Sequence, residues 1–101
     1  MNYANRVNRR PSNDRILVAT VAMTKNCGEC DPIIIGIVSG AIDFTLDQVD
    51  VHDAIFDKEL CRNVHSFLYE VWKDHSWTEP YLWRGMDNAI SILRAGKDIQ
   101  L

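Results

Sequence analysis

Two pairs of side chains in this chain could hold a metal ion or carry redox chemistry. Cys27-Gly28-Glu29-Cys30 sets two thiols two residues apart, with a glycine between them that lets both sulfurs turn onto one ion or onto each other. Cys61 and His65 are four apart in a stretch of helical periodicity, so they share a flank and offer a second pair of ligands. Thioredoxin-like chemistry fits the first pair poorly. Such a motif opens a helix, which favours the thiolate, whereas here the motif reads as a connection between strands and Glu29 and Asp31 set negative charge beside both sulfurs. His52, His65 and His75 lie near Asp50, Asp53 and Asp74, pairs that in an acidic stretch read as solvated surface rather than as a general base. Ser39, Ser66, Ser76 and Ser91 sit in no G-x-S-x-G elbow, and the glycines never gather into a phosphate-cradling loop. No catalytic residue is assigned, and an enzyme is not expected.

The ligand order is C-x2-C, thirty residues, then C-x3-H. A thiol pair on a loop, followed by a hairpin and a helix supplying two more ligands, resembles the treble-clef zinc arrangement over residues 24–66. The resemblance implies a zinc ion held by Cys27, Cys30, Cys61 and His65, in a domain that touches nucleic acid weakly through a basic N-terminal arm. The reading preferred here has no cofactor, with Cys27 and Cys30 as loop thiols and Cys61 in the core. Three cysteines, an odd number in a short chain, suit a reducing compartment, so a cytoplasmic protein is expected.

The elements that would position these groups must fit in 101 residues, which is one domain with one modest core. The apolar fraction of 47% and charged fraction of 25% are those of a globular chain. Proteins of this size often gain stability by pairing with themselves, and a homodimer is expected. A formal charge of −3 argues against a dedicated nucleic-acid binder. The charge is segregated, however. Arg6, Arg9, Arg10 and Arg15 crowd the N-terminus, and Asp43, Asp47, Asp50, Asp53, Asp57 and Glu59 form an acidic belt that could pair with that arm or steer a basic partner. No apolar run approaches a membrane span, and the N-terminus lacks the apolar core of a signal peptide.

Residues 1–14 lack periodicity and end in Pro-Ser-Asn-Asp, which reads as a flexible basic arm ahead of a single α+β domain over residues 15–101. The β-branched run at residues 16–23 (ILVATVAM) and the run at 33–38 (IIIGIV) read as strands. Ser39-Gly40 reads as a hairpin turn, and the alternation of Ile42, Phe44 and Leu46 with polar residues reads as a third strand. A competing reading makes Asp31-Pro32 the start of a buried helix through residue 44. The fold expected is therefore a two- or three-stranded antiparallel meander, then two antiparallel helices packed on one face. The first helix is carried by Leu60, Cys61, Val64, Phe67, Leu68, Val71 and Trp72 at spacings of three and four, opposite a polar face that includes Asn63. The second starts at Thr78, with Leu82, Met86, Ala89, Ile90 and Leu93 as its core stripe, and stops at Gly96.

Seven of the nine aromatic residues lie between Phe56 and Trp83, on that helical hairpin. Phe67 and Trp72 belong to the core stripe, which leaves Tyr69, Trp77, Tyr81 and Trp83 in excess of what a small sheet can cover. Tyr81, Gly85, Asn88 and Ile92 form a second stripe, and a glycine inside a helix suggests that another backbone comes close there. The function expected is a non-enzymatic protein-interaction module, a regulator, inhibitor or anti-activator that binds a protein partner, for example a transcription regulator, and self-associates. The contacts expected are Tyr69, Trp77, Tyr81, Trp83, Arg84, Gly85, Asn88 and Ile92.

Overall fold

The computed structural model describes residues 10–25, 32–72 and 78–95, and their side chains except those of 70–72 and 78–81. Among the described residues the chain forms four helices, α1 (Asn13–Thr24), α2 (Pro32–Gln48), α3 (Phe56–Trp72) and α4 (Thr78–Arg94), and no strand. The α+β class is thus corrected to all-α, and the antiparallel meander is replaced by α1 and α2.

The correction has a local cause. The Ser12 hydroxyl accepts the Arg15 N–H at 3.1 Å and caps α1, with Asp14 in the first turn. Ile16, Ala19, Thr20 and Met23 then bury one face at helical spacing. The threonines do not oppose the helix, because the Thr20 and Thr24 hydroxyls donate back to the carbonyls of Ile16 and Thr20 at 2.8 and 3.0 Å. A β-branched residue costs a helix only a few tenths of a kcal/mol, whereas burying a large apolar side chain contributes about 1.5–3 kcal/mol. Packing outweighs propensity.

In α2 the competing helical reading is the one adopted. Pro32 stands in the first turn, where its missing N–H removes no helical bond. Ile34, Val38, Ala41, Ile42, Thr45 and Leu46 are buried, so the apparent alternation of Ile42, Phe44 and Leu46 is two helical faces overlapping. Phe44 points outward, and Ser39-Gly40 lies mid-helix rather than in a turn.

α3 and α4 start and stop close to where the periodicity places them. Asp50 and Asp53 shape the approach to α3, their carboxylates accepting the N–H groups of His52 and Ile55 at 2.8 and 3.1 Å. Leu60, Val64 and Leu68 are fully buried, as are Leu82 and Ala89 on α4. Three positions on α3 differ from the spacing-based reading. Cys61 and Phe67 are exposed, and Asn63 is buried. The Asn63 amide donates to the Thr45 hydroxyl at 2.9 Å, which donates in turn to the Ala41 carbonyl at 2.7 Å, a fully inward polar relay between α2 and α3.

The helices do not pair as the expected hairpin. α4 packs chiefly on α1 and α2 chiefly on α3, with α1 against α2 joining the two pairs, while α3 and α4 touch each other only slightly. At the α1–α4 crossing, a Cβ built on Gly85 would stand 2.7 Å from the Ala22 carbonyl oxygen and 2.8 Å from the Met23 Cα. The backbones meet there directly. Beside the crossing, Arg15 donates to the Ile92 carbonyl at 2.7 Å. At the end of α4, Arg94 donates to the Val51 carbonyl and to Asp57, each at 2.7 Å, with its guanidinium 6.0 Å above the Phe56 ring.

Three substitutions test this packing. Gly85→Ala forces α4 off α1 and is expected to lower unfolding free energy by about 1–3 kcal/mol in urea denaturation. Gly36→Ala, whose added methyl meets nothing within 4 Å, is expected to raise it by about 0.5–1 kcal/mol in dilute solution. Thr45→Val strands the buried Asn63 amide and is expected to cost about 1–3 kcal/mol.

Candidate interaction face

The helices fall into two kinds. α3 and α4 separate polar from apolar faces, while α1 between Asp14 and Lys25, and the first half of α2 before Asp43, are apolar on the outward side as well as the inward one. On α1 the outward apolar residues are Leu17, Val18 and Val21, and on α2 the outermost is Ile33; these four are 50–62% exposed. Their positions follow from the same helical registers that bury Ile16, Ala19 and Met23 on α1 and Ile34, Val38 and Ala41 on α2.

Ile33, Gly36 and Gly40 run down one outward stripe of α2 at spacings of three and four. Neither glycine has a neighbouring atom within 4 Å of where a Cβ would stand. Leu17 borders them across a groove of about 480 Å³ between α1 and α2. The face is thus a ridge of branched side chains on α1 beside a trough floored by glycine backbone on α2. Towards α3 it continues into Phe44, whose ring centroid is 5.5 Å from that of Phe67.

Charge is confined to the margins. At the lower edge of α2 the Arg10 guanidinium bridges Asp43 and Asp47, the second at 2.9 Å. Asp57 is engaged by Arg94, and Glu59 by Arg62. Much of the acidic belt is therefore occupied within the protomer, and Arg10 is the member of the N-terminal basic cluster seen to pair with it. On the ridge itself the exposed charges are Asp14 at one end of α1 and Lys25 at the other.

The residues expected to meet a partner are scattered by comparison. Tyr69 is 58% exposed on α3. Trp83 is half-buried against the core, stacked with His65 at 6.5 Å between centroids. Arg84 and Asn88 are exposed on α4, and Ile92 is half-buried, its carbonyl taken by Arg15. Gly85 is buried, and the backbone that approaches it is the chain's own α1. Trp77 lies outside the described residues, as does the side chain of Tyr81.

Of the metal ligands implied by the treble-clef resemblance, Cys61 and His65 are exposed on α3, and Cys27 and Cys30 lie outside the described residues. The hairpin that the resemblance requires between the two pairs is the helix α2. No group of three or more His, Cys, Asp or Glu side chains suited to a metal ion is found among the described residues. Nor is any described helix long and apolar enough to cross a membrane. No family model, curated protein or solved structure matches this chain.

Leu17, Val18, Val21, Ile33, Gly36 and Gly40 were hidden from sequence reasoning by the assignment of strands, in which a continuous apolar run is simply buried on both faces. The same run on a helical wheel leaves apolar residues on the outward side, a signal that the competing helical reading of residues 32–44 carried. The exposure of this face has a direct test. In dilute solution, where association adds nothing to stability, Val18→Asp and Val21→Asp are expected to change it by no more than about 0.5 kcal/mol, whereas Ala19→Asp, with its side chain fully buried, is expected to unfold the domain, as read by circular dichroism and thermal melting.

Proposed function

We propose that this chain is a protein-interaction module that regulates by occupying a partner's surface with the α1–α2 face. The observation that carries the reading is the pair of helical glycines facing open space among half-exposed branched side chains. A helical glycine costs about 0.8–1 kcal/mol relative to alanine, so a helix holding two on its outward stripe gives up stability that the isolated domain does not recover. Gly85 supplies the internal precedent: it is the helical glycine against which another backbone is seated. Gly36 and Gly40 offer the same close approach to a backbone from outside the protomer.

The size of the face agrees. Four half-exposed branched side chains with the glycine trough and Phe44 present an apolar patch on the order of 400 Å², within the range of about 300–600 Å² in which the largest patch of a monomer is often functional. A module of this kind acts as an inhibitor or adaptor, excluding other partners from the surface it covers. The Phe44–Phe67 pair extends the contact towards α3, which keeps part of the aromatic surface in the interface.

A photo-crosslinking residue placed in living cells at Val21 or Ile33 is expected to trap protein adducts, while the same residue at the exposed Asn88 of α4 traps none. Adducts at Asn88 alone, or at none of the three positions, would overturn the assignment of this face.

A further inference from the structure

We propose that the occupant of the α1–α2 face is the same face of a second copy of this chain, with α1 lying antiparallel on α1 about a two-fold axis and Asp14 of each copy opposite Lys25 of the other. The inference rests on the interaction reading given above and identifies its partner.

Charge complementarity selects the arrangement. The outward ridge of α1 reads Asp14, Leu17, Val18, Val21, Lys25, with every member exposed. Its apolar centre is flanked by opposite charges 11 residues apart, about 16 Å along the helix. Such a ridge is self-complementary in one sense only. Laid parallel on a copy of itself it would set Asp14 against Asp14 and Lys25 against Lys25. Laid antiparallel it sets unlike charges together at both ends, centres Val18 and Val21 on their counterparts, and opposes the helix dipoles favourably. Neither charge makes an ion pair among the described residues.

The neighbouring helix fits the same symmetry. α2 runs beside α1 along the shared groove, so a two-fold axis in the plane of the face and perpendicular to α1 lays α2 along α2 of the second copy. There the stripe of Ile33, Gly36 and Gly40 meets itself, and the two uncovered glycines let the helices close to backbone distance as Gly85 does within the protomer. Asp43 and Asp47, the acidic groups at the border, are neutralised by Arg10 of their own chain and do not hold two negatively charged copies apart.

The area suffices. A stable interface of ordinary size buries about 800 Å² on each partner, a little over half of it apolar. The apolar surface offered here, on the order of 400 Å², meets that share without a rearrangement of the protomer.

Sedimentation equilibrium of the full chain between 1 and 100 µM tests the proposal (concentrations of about these values span the dissociation constants expected for an interface of this size). The wild-type chain is expected to approach twice its 11.6 kDa mass. Val21→Asp is expected to sediment as a folded monomer with unchanged helicity. Asp14→Lys and Lys25→Asp, each of which sets like charges together at both ends, are expected to weaken pairing by about tenfold at low salt, and the double variant Asp14→Lys/Lys25→Asp to restore it. A wild-type monomer throughout the range overturns the proposal, as does a dimer indifferent to Val21→Asp, or a double variant as weak as the single ones. The two readings fail separately. A wild-type monomer that still yields foreign adducts from Val21 and Ile33 sinks self-pairing and leaves the interaction module standing, while a monomer with no adducts sinks both.

Discussion

The contact on which the architecture depends is the meeting of two backbones at Gly85. A helix normally holds its neighbour away by the length of its side chains, about 8–10 Å between axes. Here the absence of one methyl group lets α4 settle on α1 until its Cα stands against the carbonyls of Ala22 and Met23. That approach draws the end of α4 within reach of Arg15, and the arginine at its last turn within reach of the Val51 carbonyl and Asp57. The orphan carbonyls at the end of α4 and the loop before α3 are thereby tied to α1 and to the core, and the first helix is joined to the last across everything between Thr24 and Thr78. Leu82, Met86, Ala89 and Ile90 gain their burial from this closure, together with Ile16, Ala19 and Met23.

Closure of α4 onto one flank of α1, and of α2 onto the other, also decides what is left uncovered. α1 has no polar side on which to meet water, since Leu17, Val18 and Val21 occupy the arc opposite its buried face. α2 repeats the pattern with Ile33, Gly36 and Gly40. Among the described residues, α3 and α4 place most of their charge outward, with Phe67 and Tyr69 the exposed rings of α3. The molecule therefore has an asymmetric exterior: two strongly amphipathic helices, and two whose outward sides carry an apolar stretch bounded by charge. The apolar ridge and its adjoining trough follow from that asymmetry rather than from any single residue.

The charge pattern has a related logic. Its segregation along the chain suggested an arm and a belt available to other molecules. In three dimensions Arg10 bridges Asp43 and Asp47, Arg94 reaches Asp57, and Arg62 reaches Glu59. Exposed pairs of this kind contribute at most about 1 kcal/mol each. The Arg10 pairs have a larger consequence, since they quieten the border of the apolar face and leave Asp14 and Lys25 as the charges that could orient whatever lies on it.

Much of the second half of the chain was legible in the sequence. Leu60, Val64 and Leu68, then Leu82, Met86, Ala89, Ile90 and Leu93, recur at a helical period that few other arrangements can bury, and the structure buries all eight. Gly85 was recognised as a point of close approach, although the approaching backbone proved to be the chain's own. The first half was misread because Ile16 to Thr24 and Ile33 to Val38 are apolar almost continuously, and a continuous apolar run carries no period. β-branching then tipped the reading towards strands, by a preference worth only tenths of a kcal/mol per residue.

The sequence by itself thus determined the two amphipathic helices with their buried stripes. Only the tertiary structure decided that the early apolar runs are helical, that the relay from Asn63 through Thr45 lies inside, and that α1 and α2 carry uncovered apolar surface of their own. The reason is physical: periodicity reveals which face of a helix needs shelter when its faces differ. When both faces are apolar, the one that is sheltered depends on which neighbours arrive, and that is a property of the packed molecule alone.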